Sequence, residues 1–235
     1  MARNKKSVAV NLKAKEGVAL VQRLAAGCDV VVENFRPGVA ERLGLGAAAL
    51  RAQHPRLIYC SISGYGHAGL KDYVEKPGYD ATAWWARSGL MDSVRPGGGD
   101  FGFATAGMGD NPSAAALFGA IALALFDRER TGRGRRVRTS LIANGAWSNS
   151  LLIQAALCGG KTYQVPPRAQ SLNALVNSYV CADGRGLYLA MVQEAVEWSR
   201  FTDAINRPDL RTDPRFAELA PRRANAPALV EILDP

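Results

Sequence analysis

Residues 30–63 read VVVENFRPGVAERLGLGAAALRAQHPRLIYCSIS, and the order of elements in this stretch decides the fold. Its first run, 30–32, and its last run, 57–63, are largely apolar in the manner of buried strands. Between them lie two short helical patterns, at 39–43 and 47–53. Strands that alternate with helices are typical of a parallel sheet with right-handed crossovers. The stretch therefore predicts an α/β fold.

The same alternation of patterns continues on both sides of this stretch. Apolar spacing and glycine-containing turns set the limits of the further elements. These predicted elements are a strand at 7–11, helices at 16–26, 79–87, 114–126, 140–157 and 194–205, a strand or helix start near Val137, and a hairpin over 179–192 that turns at Asp183-Gly184.

A change of composition divides the chain. Residues 159–173 are rich in Gly, Pro, Gln and Arg, which is typical of a linker. We expect 1–158 to form a large Rossmann-like α/β domain and 174–235 to form part of a smaller α+β domain.

The composition indicates which binding partners and which cell compartment to expect. The formal charge of +8 favours anionic partners, but the arginines are scattered and carry no aromatic-studded basic motif, so no nucleic acid is predicted. The four cysteines have neither CxxC spacing nor adjacent histidines, so no metal site is predicted. No secretory signal opens the sequence, and the apolar run 114–126 is too short to span a bilayer. We therefore expect a cytoplasmic protein that does not contact membranes.

Asp110 is the residue with the most distinctive surroundings. It lies in the run GMGDNP at 107–112, directly before the apolar run 114–126. The free N–H groups and the positive dipole end of a helix start can hold a carboxylate ionised there. An ionised carboxylate is a competent nucleophile toward activated acyl groups. The alternative interpretation is that Asp110 only caps the helix, since Asp is a favoured N-cap residue.

Several further motifs follow one another in a recognisable order. They are NKKSV at 4–8, VVENFRPG at 31–38, PRLIY at 55–59, SISGYG at 61–66, KPGYD at 76–80, GD at 109–110, RTGRG at 130–134 and ADG at 182–184. In this order the sequence resembles the class III coenzyme A transferases, the family of formyl-CoA transferase and the carnitine-CoA transferases. The likeness runs from about the first residue to near the last. It implies a homodimer, because members of that family form interlocked dimers.

The resemblance also implies a reaction. The aspartate that matches Asp110 attacks the thioester of an acyl-CoA donor, and CoA then passes through an aspartyl-CoA thioester to a carboxylic acid acceptor. Coenzyme A is a substrate in this scheme, and no permanently bound cofactor is expected. Backbone N–H groups near 107–109 and at the helix start are candidates to stabilise the tetrahedral oxyanions.

The positions that contact coenzyme A in the family can be carried over to this sequence. Lys and Arg suit such positions because phosphate contacts need cations or N–H donors. Two alternatives stay open: Phe35 is a core residue, and Lys13 and Arg42 are solvated charges at helix ends. The implied contact residues are Val10, Asn11, Leu12, Lys13, Asn34, Phe35, Arg36, Arg42, Lys76, Gly78, Tyr79 and Asp80.

Two other functions remain as alternatives. Acyl-CoA racemases of the same superfamily pair the aspartate with a histidine, but Tyr79 occupies that histidine's position here. Tyrosine, with its high pKa, is a poor base for proton abstraction near neutral pH. Relative to the family, this chain also begins late and ends early, so a truncated CoA-binding module without turnover is the second alternative.

Overall fold

The computed structural model describes residues 3–161 and 164–234. Residues 1–93 and 102–162 group into one compact unit, and 94–101 and 163–235 group into a second. The predicted α/β fold with a parallel sheet is confirmed. The predicted domain limits, with a linker at 159–173, stay a prediction.

The first unit is built on a sheet of three parallel strands in the order β1-β2-β3. The strands are β1 Val30–Glu33, β2 Ile58–Ser63 and β3 Arg136–Ser140. The segment near Val137, which the sequence left undecided, is therefore a strand. Because the strands are parallel, all three carboxyl ends lie at one edge of the sheet.

One face of the sheet is covered by helices that the sequence predicted. They are α1 Lys15–Ala26, α2 Val39–Arg42 and α3 Ala47–Gln53. Their apolar side chains form a core with Tyr59, which is buried and donates its hydroxyl proton to the carbonyl of Leu45 at 2.9 Å. This bond satisfies the one polar atom that the tyrosine brings into the core.

The opposite face is covered by the long helix predicted at 114–126, which is longer than expected. Leu117 and Ala124 of this helix pack on Ile58 and Cys60 of β2. Among the described residues, no helix has the length and apolar character needed to cross a membrane. The remaining elements of the first unit, in chain order, are α4 Lys71–Val74, a π-helix Asp80–Ala86, α5 Leu90–Ser93, α6 Asp110–Thr131, α7 Leu141–Ser148 and α8 Ser150–Leu157.

Two predicted elements are wrong. Residues 7–11 form no strand, since β1 pairs only with β2 in the described sheet, and Asn11 instead accepts the N–H of Ala14 in a turn that leads into α1. The helix predicted at 140–157 is two helices, α7 and α8, which meet at Asn149. The Asn149 amide donates to the carbonyl of Ser88 at 3.1 Å, so a tertiary contact holds the residue at which the helix breaks.

The second unit contains the predicted hairpin and the predicted helix that follows it. β4 Val176–Val180 and β5 Gly186–Ala190 pair antiparallel, and Gly184 adopts φ 80° in the turn between them. Leu175, Phe216 and Val230 are fully buried in this unit's core. The other elements are the 3₁₀ helices Arg168–Gln170 and Pro208–Arg211 and the α-helices α9 Glu194–Ala204, α10 Leu219–Ala224 and α11 Ala226–Leu233.

A buried ion pair lies in the interior of the second unit. Glu194 and Arg222 are 3.2 Å apart, with 2% and 4% of their side chains exposed. Asn173 also donates to Glu194, at 3.0 Å, so the carboxylate is satisfied from several sides. Buried charges need partners of this kind. We therefore assign the ion pair to the packing of the second unit and not to catalysis.

Gly134, just before β3, lies in direct contact with the chain that leads into β2. It is buried, its N–H donates to the carbonyl of Pro55 at 2.8 Å, and a Cβ there would overlap the carbonyl of Leu57. We expect Gly134→Ala to lower the free energy of unfolding by about 3 kcal/mol, because backbone must move to admit the methyl group. Urea denaturation measures this change.

Gly119→Ala is the matched control. A Cβ at Gly119, in the middle of α6, would meet no heavy atom within 4 Å. We expect this variant to raise the free energy of unfolding by roughly 0.5–1 kcal/mol, since Ala favours the helix. Equal effects of the two substitutions would contradict the packing described for β3.

Candidate functional site

A cleft of about 450 Å³ lies at the carboxyl edge of the parallel sheet. Each strand contributes to it: Asn34 follows β1, Ser63 ends β2 and Gly64 follows it, and Leu141 follows β3. Ligands of open α/β sheets bind at this edge, because the loops that leave the strands diverge there. The cleft is thus in the position that the fold favours for a binding site.

Two carboxylates also line the cleft. Asp80 is the first residue of the π-helix, and Asp110 is the first residue of α6. Gly78 and Tyr79 lie beside them and also line the cleft. The structure therefore brings the predicted nucleophile together with four of the predicted CoA-contact residues, since Asn34 lines the same cleft.

Gly109 sets how closely the two helix starts approach. It is buried, and a Cβ there would lie 2.6 Å from Cβ of Trp84 and 2.9 Å from Cβ of Asp80. Only glycine allows this contact between the start of α6 and the π-helix. Gly109 also occupies the N-cap position and Asp110 the first helical position, so the interpretation of Asp110 as the N-cap is wrong.

The glycine turn before α6 is held by Asp80. Gly107 adopts φ +80°, and its N–H donates to Oδ2 of Asp80 at 2.9 Å. The Met108 N–H donates to the carbonyl of Thr105, at 3.0 Å. The N–H groups of Gly109 and Asp110, in contrast, have no acceptor within the part of the chain that the structure describes. Of the donors that the sequence predicted for an oxyanion, those of Gly107 and Met108 are therefore already used.

The Asp110 carboxylate is exposed to the cleft and more basic than an ordinary aspartate. No described residue donates a hydrogen bond to its oxygens. Partial burial, and secondly the charge of Asp80, raise the pKa of Asp110 above the ordinary value of 3.8. Greater basicity accompanies greater nucleophilicity, provided that the group is ionised.

A smaller cavity of about 160 Å³ adjoins the cleft. Asn34, Gly64 and Tyr79 are among the residues that line both. Arg36 and Lys76 add two exposed cations to the smaller cavity. Two predicted CoA-contact stretches that are distant in sequence thus meet in one cationic space beside Asp110.

The two stretches can meet because Gly64 and Gly78 carry no side chains at their point of contact. A Cβ on Gly64 would lie 2.5 Å from the Cα of Gly78, so the two backbones are in direct contact. The loop after β2 and the chain before the π-helix can therefore form one continuous wall. Gly78 has a structural reason to be glycine in addition to its predicted contact with CoA.

The other predicted contact residues lie elsewhere in the first unit. Lys13 donates its N–H to the Asn11 side chain at 3.0 Å, and Leu12 lines a separate apolar pocket of about 250 Å³ together with Phe35. Arg42 is exposed at the end of α2. The CoA roles of these positions, and of Val10, which precedes the same turn, stay predictions.

Phe35 resolves one of the open alternatives. Its side chain is 39% exposed, and it lines both the apolar pocket and the cationic cavity. The interpretation of Phe35 as a core residue is therefore wrong. An exposed aromatic ring between an apolar and a cationic space suits a ligand that has both characters.

Several residues of the cleft were not among the predicted site residues, and Ser63 and Leu141 are two of them. Ser63 could have been found, since it ends a predicted strand and strand ends line such sites. Leu141 could not, because the sequence left the segment near Val137 undecided and therefore gave no third strand end. The packing of Trp84 against Gly109 carries no signal in sequence spacing, because it joins two elements that are distant in sequence.

Comparison with known proteins decides the family. A sequence profile described as CoA-transferase family III matches residues 1–234. The chain belongs to CoA-transferase family III. The predicted resemblance is confirmed.

Two family III relatives illustrate the match. The chain is 34% identical over 232 residues to (R)-2-hydroxy-4-methylpentanoate CoA-transferase of Clostridioides difficile, covering 98% of this chain and 57% of that protein. It is also 34% identical over 232 residues to succinyl-CoA:glutarate CoA-transferase of Mus musculus, covering 98% of this chain and 52% of that protein. The chain spans about half the length of the curated relatives it matches.

Solved structures of the family agree with the fold. A CAIB/BAIF family protein from Brucella suis superposes with a TM-score of 0.86 at 30% identity, covering 99% of this chain and 60% of that chain. The fold of this chain is therefore one already seen in a protein of the CAIB/BAIF family.

The described lining of the cleft contains Asp80 and Asp110 but no histidine. Within residues 3–161 and 164–234, no group of three or more His, Cys, Asp or Glu side chains is placed to hold a metal. Neither His54 nor His67 lines the cleft, whereas Tyr79 does and is 70% exposed.

Gly109→Ala tests the contact on which the site geometry depends. The added methyl group must push α6 away from Trp84, and we expect a loss of about 2 kcal/mol in the free energy of unfolding. For a chain of this size that corresponds to a fall of roughly 4–8 °C in Tm, measured by circular dichroism. Gly102→Ala is the control, since a Cβ there meets nothing within 4 Å. The same Tm for both variants would contradict the described contact.

Proposed function

We propose that this chain moves coenzyme A from an acyl-CoA donor to a carboxylic acid acceptor through covalent intermediates on Asp110. One observation carries the proposal: the Asp110 carboxylate, to which no described residue donates a hydrogen bond and whose pKa is raised, opens into the cleft at the start of α6. Family membership supports the same reaction type, since relatives of this chain are named CoA-transferases.

The proposed reaction uses the Asp110 carboxylate, the acyl-CoA donor and the acceptor acid, and no other reagent. An Asp110 oxygen forms a bond to the thioester carbonyl carbon, the C–S bond breaks, and the electron pair leaves with sulfur as the CoA thiolate. The thiolate then attacks the aspartyl carbonyl of the mixed anhydride, releases the first carboxylate and forms an aspartyl-CoA thioester. The incoming acid takes CoA by the same two steps in reverse, so the energy of the thioester is retained.

The free N–H groups of Gly109 and Asp110 are the proposed oxyanion donors. Each tetrahedral intermediate places negative charge on the former carbonyl oxygen, and two N–H groups at a helix start can meet that charge. Because these groups have no acceptor among the described residues, no bond must break before they act.

The cationic cavity is the proposed path of the CoA diphosphate. Arg36 and Lys76 supply charge, and Asn34 supplies a neutral polar group at the boundary with the cleft. Charge-assisted contacts of this kind are the strong ones for phosphate. Phe35 is placed to contact an apolar part of the same ligand.

We also propose a homodimer. The long helix α6 exposes large apolar side chains: Phe118 is 72% exposed, Leu123 68% and Phe126 63%. A large exposed apolar patch marks an interaction surface. Sedimentation equilibrium is expected to give twice the chain mass of 25.1 kDa. A monomer across the micromolar range would contradict the dimer.

Chemical trapping tests the covalent step. The chain is mixed with an acyl-CoA and then with hydroxylamine, which captures acylated carboxylates as hydroxamates, and peptides are identified by mass spectrometry. We expect the modification on Asp110 only. In Asp110→Asn we expect no adduct and CoA transfer slower by at least about 1000-fold, because the nucleophile is gone.

Asp72→Asn is the control for loss of one carboxylate. Asp72 is exposed on α4 and lines neither the cleft nor the cationic cavity, so its variant should be trapped like the wild type. Exchange of an α-proton with deuterated solvent without an adduct would contradict the proposal and favour a racemase. Tight CoA binding with neither adduct nor exchange would contradict it in favour of a binding module.

A further inference from the structure

We propose that Asp80 is a positioning residue for Asp110: it anchors the glycine turn before α6, and its negative charge favours the acylated form of Asp110 over the free carboxylate. This inference rests on the proposed function. It assigns Asp80 a task within the reaction that is different from contact with coenzyme A.

Both oxygens of Asp80 are used by backbone N–H groups. Oδ2 accepts from Gly107 at 2.9 Å, and Oδ1 accepts from Ala81 at 2.8 Å. The first bond crosses from the π-helix to the glycine turn, and the second fixes the carboxylate at the start of its own helix. Asp80 is thereby held in one orientation before any ligand enters.

The bond to Gly107 controls the first turn of α6. Gly107 is in the left-handed region at φ +80°, and its carbonyl accepts the N–H of Asn111 at 2.9 Å. Asp110 lies between these two anchor points. A turn that loses the Asp80 bond can rotate, and the Asp110 carboxylate then moves relative to a bound thioester.

Asp80 is also the charged group that faces Asp110 within the described residues. β1, β2 and α7 contribute Asn34, Ser63 and Leu141 to the cleft, and all three are uncharged. On α6 itself the next charged residue is Asp127, about 25 Å away at the rise of an α-helix. No described cation forms an ion pair with Asp80. The cations Arg36 and Lys76 line the adjoining cavity and not the cleft itself, and Asp80 is the charge that raises the pKa of Asp110.

This repulsion is present before Asp110 is acylated and absent afterwards. While both side chains are ionised, two negative charges share the wall of the cleft, and the pKa of Asp110 is raised by partial burial and by Asp80. When an Asp110 oxygen bonds to the acyl carbon, the negative charge leaves on the CoA sulfur and Asp110 becomes neutral. The repulsion disappears at that step, so Asp80 destabilises the free carboxylate relative to the anhydride.

Two variants separate anchoring from charge. Asp80→Asn keeps one oxygen, which can accept the Gly107 N–H, and removes the charge together with the acceptor for Ala81, whereas Asp80→Ala removes the charge and both acceptors. Glu129→Gln is the matched control: it removes one charge on α6, 19 residues from Asp110, or about 28 Å along the helix. At that distance the charge is screened.

Two readouts are needed. The first is the pKa of the Asp110 carboxyl, followed by ¹³C NMR of labelled aspartate. The second is the rate of hydroxylamine-trapped acylation at saturating acyl-CoA across pH.

We expect Asp80→Asn to lower the pKa of Asp110, to move the acid limb of the rate profile to lower pH and to slow acylation on the plateau. Asp80→Ala should slow acylation further, by about 100-fold relative to the wild type, since Asp110 loses its position. Glu129→Gln should leave both readouts unchanged.

The outcomes distinguish this inference from the proposed function. If the wild type acylates but Asp80→Asn has the pKa and the rate profile of the wild type, the role of Asp80 is overturned and the proposed function stands. If Asp80→Asn changes only the acyl-CoA concentration needed for half-maximal rate, Asp80 is a CoA contact and the inference is also overturned. If the wild type never acylates, the proposed function fails, and the NMR titration alone still decides whether the two carboxylates are coupled.

Discussion

The candidate site depends on one close contact, that of Gly109 with the π-helix. No side chain other than hydrogen fits between the start of α6 and Trp84, so the glycine brings two helix starts together. Each of these starts carries an aspartate, Asp80 on the π-helix and Asp110 on α6. A pair of like charges in one cleft wall is electrostatically unfavourable, and the surrounding fold has to hold it in place. This cost is localised at the position where the chemistry is proposed.

The remainder of the cleft follows from the topology of the parallel sheet. Three parallel strands end at one edge, and the residues that follow them, including Asn34 and Leu141, line the same space. Helices on both faces leave that edge as the open side. The cationic stretch with Arg36 and Lys76 extends the space away from Asp110. An anionic, elongated ligand can therefore reach the carboxylate from one direction.

The sequence was informative where local pattern and topology agree. The apolar runs at 30–32 and 57–63 predicted two strands, and β1 and β2 are present there. It was uninformative where tertiary contact decides. Residues 7–11 have the composition of a strand but no described strand beside them, and the break at Asn149 depends on Ser88, far away in sequence. The bond between Asp80 and Gly107 is likewise invisible to spacing, because it spans 27 residues.

A crystal structure of the chain soaked with an acyl-CoA tests the central claim most directly. The account predicts CoA with its diphosphate beside Arg36 and Lys76 and its sulfur in the cleft, and electron density that joins the acyl group or the CoA sulfur to the Asp110 carboxyl. Density for CoA whose sulfur lies away from Asp110, or an acyl group joined to a different side chain, would contradict it.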